Sequence, residues 1–132
     1  MARAQWPLLN DRPVIEVILT FAQGGQKATR TLLADTGAGN MQAPFELLLD
    51  ENDCLHGGRP VSQTIPLLGA YTGTYPLYLV RVEMPLLRFN RRVLVVGIPK
   101  TPNGFDGIAC FRFLNRFTYG NFGNSRQFAL EI

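Results

Sequence analysis

Asp35, Thr36 and Gly37 are the residues best suited to chemistry in this 132-residue chain. They follow directly on the apolar Leu32-Leu33-Ala34. A carboxylate at the end of a buried strand costs free energy unless it is hydrogen-bonded or shared with a partner. Gly37 lets backbone come close and supplies an N–H with no side chain in the way. Thr36 adds a hydroxyl that can bond a neighbouring backbone. Such a carboxylate can serve as a general acid or base; the plainer alternative is an Asx-turn that caps the strand. The other reactive side chains offer less. Cys54 and Cys110 are too few for a disulfide framework and lack the CxxC spacing of a metal site. Cys110 reads as core filler. His56 is the only histidine, so clustered-histidine metal sites are excluded, and it reads as a solvated residue of a polar loop. No metal and no organic cofactor is expected.

The elements that must position Asp35 read as mostly β. Val14 to Phe21 is rich in β-branched and aromatic residues and predicts a strand. Gln23-Gly-Gly-Gln26 is a turn, and Ala28 to Ala34 returns as the second strand of a hairpin. Pro44 to Leu49 suits one or two helical turns with Pro at the start, and Asp50 to Pro60 reads as a loop. Val61, Gln63, Ile65 and Leu67 share a face of a third strand. Leu68 to Gly73 interrupts it, and Tyr75 to Val82 continues as a fourth. Pro76 there implies an edge or a bulge. Arg92 to Val96 is a short apolar strand, followed by a Pro-rich loop over Gly97 to Gly104. Phe105 to Ala109 enters a last buried segment, where Cys110, Phe113, Leu114 and Phe117 fall at helical spacing. Arg126 to Ile132 is a final strand. The sum is one all-β domain over 1–132 with one or two short helices.

Composition agrees. The chain is 46% apolar and 17% charged, enough to bury a core and against disorder. Thirteen Gly and nine Pro argue against a helical bundle. No apolar run approaches the roughly 20 residues of a membrane span. The opening Met1-Ala-Arg-Ala-Gln-Trp6 has no stretch suited to a signal peptide. The expected setting is therefore the cytoplasm, with no membrane partner. The net charge is +3, and the only adjacent basic pair is Arg91-Arg92. Scattered arginines on a solvated face predict no nucleic-acid partner. An RNA-binding barrel would need exposed aromatics interleaved with Arg; Phe111-Arg-Phe113 and Arg116-Phe117-Thr-Tyr119 are the only candidates.

Leu32-Leu-Ala-Asp-Thr-Gly-Ala38 resembles the catalytic loop of the retropepsin-like aspartic proteases. About seventy residues on, Asp106-Gly-Ile-Ala-Cys-Phe-Arg-Phe-Leu114 resembles their second signature, an apolar strand, a Gly and then a helix. A hairpin with glycines at its tip lies between, where the family has its flap. The resemblance runs from Val14 to Ile132 and implies a closed β-barrel whose active site lies at a homodimer interface. There is a single Asp-Thr-Gly, so a catalytic pair requires twofold association. The two Asp35 would share one proton, because two adjacent carboxylates do not both ionise cheaply. The charged one would activate a water and the other would hydrogen-bond the scissile carbonyl of a polypeptide substrate.

By the same resemblance Thr36 would bond across the dimer, and Gly37, Ala38 and Gly39 would meet substrate or dyad by backbone. Gly69, Ala70, Tyr71, Thr72 and Gly73 would form the flap over an extended peptide. The terminal strand near Phe128 to Ile132 would join the Asp35 loop in the interface. Two positions depart from the family. Cys110 stands where it has a Gly, with the small Ala109 beside it as the expected source of compensating room. Gly39 stands where many members have an Asp able to pair with an Arg, which would leave Arg112 without that partner. These departures define the alternative function, a catalytically weak dimerisation or peptide-binding module.

Overall fold

The structure is a computed structural model and describes residues 2–132. The strands are β1 (Arg3–Pro7), β2 (Val14–Thr20), β3 (Lys27–Ala34), β4 (Leu47–Asp50), β5 (Gly58–Leu67), β6 (Gly73–Met84), β7 (Phe89–Ile98), β8 (Gly107–Ala109), β9 (Thr118–Gly120) and β10 (Gln127–Glu131). Two short helices, α1 (Glu51–Gly57) and α2 (Phe111–Leu114), complete the fold. Six strands close on themselves in the order β2-β3-β8-β4-β7-β6, with β6 returning to β2, so the protein is a closed β-barrel. β5 hangs on the outside of β6.

The barrel closes because its strands alternate apolar residues inward. Ile15, Val17 and Leu19 of β2, Val80 and Val82 of β6, and Val93 and Val95 of β7 are fully or almost fully buried in one cluster. The β2–β3 turn is tight because Gly24 and Gly25 take left-handed φ of 79° and 67°, as type I′-like hairpins require. A second cluster, which includes Phe45, Leu48, Leu77, Val96 and Cys110, lies outside the barrel wall beneath the β5–β6 hairpin.

Two expectations fail here. Pro44 to Leu49 is not helical; Leu47–Asp50 is the strand β4, parallel to β7 and antiparallel to β8. Paired on both sides, it sends Leu47 and Leu49 into the first cluster and Leu48 into the second. A strand covered on both faces reads as an unbroken apolar run, which periodicity cannot tell from a buried helix. Asp50 to Pro60 is not a loop. Asp50 caps α1 by accepting from the Asn52 N–H at 2.8 Å, and Glu51 and Asp53 sit in the first turn, where the helix dipole favours acids. β1 and β9 also arise where no strand was expected.

β10 lies between β1 and β9 in a separate three-stranded antiparallel sheet. β1 pairs with it along its whole length, and β9 covers its other edge over Ala129 to Glu131. Pro76 meets both halves of its expectation. It faces Thr64 at the register shift of β5 and precedes the first residue of β6 that pairs with β7.

Candidate active site

Asp35 leaves the C-terminal end of β3, beside the parallel end of β8. Its N–H donates to the Ala109 carbonyl at 3.0 Å, and the Phe111 N–H donates back to the Ala38 carbonyl at 2.9 Å. These two bonds strap the loop to the β8–α2 junction. Within it, the Asp35 Oδ1 accepts from the Gly37 N–H at 2.9 Å. The local conformation is therefore the Asx-turn, and it leaves the second carboxylate oxygen for other partners. A Cβ on Gly37 would stand 3.2 Å from that Oδ1, closer than ordinary contact. Gly39 has φ 72°, a left-handed conformation that an Asp would adopt only with strain. Arg112 donates instead to the Ala43 carbonyl at 2.6 Å.

The strap is backed by a charge pair that the sequence reading missed. Glu46 is the one buried charged residue among the described residues. Both of its oxygens are held by the Arg116 guanidinium, one of them at 2.9 Å, and its carbonyl accepts from the Cys110 N–H. The hydrogen bonds that Arg116 donates to the Glu46 carboxylate hold the Arg116 pKa up. The signal for it was the lone acid in Pro44-Phe-Glu-Leu-Leu-Leu49, hidden by the helical reading. Cys110 is fully buried, and burial, followed by the nearby Asp35 charge, pushes its thiol up to about 12.

Above the loop, the β5–β6 hairpin covers a groove of about 480 Å³. Asp35, Gly37, Ala38 and Gly39 line one side and Ala70 and Tyr71 the other, with Phe45, Leu48 and Ile108 between. Asp35 is the only acid in this apolar lining. Tyr71 packs with Tyr75 over the second cluster, and burial raises its pKa. It faces the groove rather than idling at the tip. Gly69 at φ 78° and Gly73 at φ 151° frame the turn, which Thr72 closes by donating its Oγ1 to the Gly69 carbonyl at 2.7 Å. Thr36, Gly69, Thr72 and Gly73 do not line the groove; Thr36 is exposed.

The residues raised for nucleic acid lie elsewhere. Phe113 and Phe117 pack edge-on against Phe89 with centroids 5.6 and 5.7 Å away, and Tyr119 leans on Phe128. His56 is exposed, as expected, but on α1, with its Nδ1 at 2.8 Å from the Asn52 carbonyl. Among the described residues no three His, Cys, Asp or Glu side chains converge as metal ligands, and no helix is long and apolar enough to cross a membrane. No protein-family model matches the chain, and no curated protein matches it.

Proposed function

We propose that this chain is one half of a homodimeric, retropepsin-like aspartic endopeptidase. The observation that carries the reading is a single strapped carboxylate, Asp35, on the floor of an apolar groove roofed by a glycine-framed hairpin. One carboxylate cannot be at once the ionised base that takes a proton from water and the protonated acid that hydrogen-bonds the scissile carbonyl, and the groove supplies no second one. A twofold axis at the exposed Thr36 side of the loop brings the second Asp35. Leu68, 88% exposed, lines the same groove and supplies apolar surface for the contact.

In the dimer the ionised Asp35 takes a proton from a water as its oxygen attacks the scissile carbonyl carbon. The protonated Asp35 hydrogen-bonds the carbonyl oxygen, and a proton passes to the nitrogen as the C–N bond breaks. Tyr71 and the flap backbone hold the peptide extended beneath the hairpin. Asp35→Asn tests this on a denatured protein substrate, with sedimentation over a wide concentration range run in parallel. Cleavage should vanish while the dimer and the melting temperature stay. Wild-type turnover in the variant, or cleavage by a strict monomer, refutes the mechanism. Undetectable cleavage by a well-formed wild-type dimer favours the peptide-binding module.

A further inference from the structure

Far along β6 from the flap, the barrel's outer wall carries a cleft of about 180 Å³ lined by three arginines, Arg59, Arg81 and Arg92. Strand register puts them there. Thr20 faces Arg81 across β2–β6, and Arg81 faces Arg92 across β6–β7. Their strand neighbours Val80, Val82 and Val93 are buried inside the barrel, so this row points outward. Arg59 pairs with Leu79, one outward step along. Leu79 and Phe21 supply apolar lining.

Two like charges set directly opposite on a sheet destabilise it, and the one carboxylate that acts on Arg81, Glu83, does so only through space and forms no ion pair with it. None of the three arginines forms an ion pair among the described residues. Arg81 donates only to the neutral Asn90 Oδ1, at 2.9 Å. The nearest acid in the pattern, Glu83, is already held by Lys27 at 2.8 Å and Thr20 at 3.2 Å. Guanidinium forks match the oxygens of tetrahedral oxyanions and bind them in pairs. Three arginines without an ion-pair partner around a space for one small group call for a dianion rather than a single carboxylate.

We propose that this cleft binds a phosphate group, carried as free phosphate or on a phosphorylated polypeptide. The site is separate from the Asp35 groove and does not depend on proteolysis. Calorimetric titration of the intact protein with inorganic phosphate, at ionic strength matched with chloride, tests it. Saturable one-to-one binding is expected. Arg81→Gln and Arg92→Gln should each weaken it by about tenfold or more, the loss of one charge-assisted fork. Arg12→Gln, on the exposed loop before β2, should leave it unchanged, and so should Asp35→Asn. Without phosphate, Arg81→Gln should melt no lower than wild type, because a repulsion has been removed. A phosphoserine peptide that binds tighter than free phosphate, and loses that advantage in Arg81→Gln, identifies a polypeptide source; equal affinities identify free phosphate. Non-saturable heats, or equal weakening by Arg12→Gln and Arg81→Gln, overturn the proposal.

Discussion

A side chain as large as Cys110 beneath the Asp35 loop must take its volume from somewhere, and Ala109 is not the source. Neighbouring residues of an extended segment point to opposite faces. Ala109 accordingly lies in the barrel cluster and Cys110 in the outer one, with Phe45 and Leu48. The room for the thiol comes from that outer cluster, so expecting the two sizes to compensate was mistaken. It follows that Cys110→Gly opens a void instead of relieving a clash. The lost packing and the added backbone freedom together should cost about 2 kcal/mol, a fall in melting temperature of roughly 5 °C or more. Turnover should not rise. Calorimetry and a peptide assay on the same pair of proteins check this, and a faster Cys110→Gly enzyme would show that the thiol does press on the loop.

At the scale of elements, the β4–β8 contact sets how closely the second signature approaches the barrel wall. A Cβ on Gly107 would collide with the Leu48 carbonyl and press on Leu32 and Leu49 at 3.1 Å. Gly107→Ala must therefore move β8 off β4, and Asp35, bonded to Ala109, moves with it. Overpacking of this kind typically costs about 1–3 kcal/mol, and here activity should fall further than stability alone explains. Chemical denaturation beside kcat measures both; a variant of unchanged stability and rate would show the contact to be slack. The same elements show what the sequence made legible. Alternation and glycine turns exposed β2, β3 and the β5–β6 hairpin, and Asp35-Thr36-Gly37 marked the loop that lies in the groove. β4 and α1 were misread because Leu47 to Leu49 is buried on both faces, and because the Asp50 cap was taken for loop polarity. Glu46–Arg116 and the arginine cleft depend on strand register, which joins residues far apart in the chain and leaves no local trace.

For the whole molecule, the two buried thiols should make stability fall at alkaline pH. Burial, with the charges of Asp53 and its neighbours next, pushes Cys54 up to about 12, as burial and Asp35 do for Cys110. The ordinary thiol value is 9.0. A folded-state value above the unfolded one means that the unfolded chain gives up its thiol protons first. The stabilisation is complete below pH 9 and is lost as pH climbs toward 12. Each thiol then costs about 1.4 kcal/mol per pH unit, so the pair removes roughly 3 kcal/mol by pH 10. Tyr71 and Tyr78, raised by burial first, steepen the loss at still higher pH. Melting temperature should therefore be insensitive to these groups near neutrality and drop steeply above pH 9. The native thiols should also resist alkylation at pH 8 until denaturant opens the barrel, since the thiolate is the reactive form. Replacing both cysteines with Ala lowers stability at neutral pH but should flatten the alkaline limb. If that limb keeps its slope in the double variant, the tyrosines and not the thiols govern it.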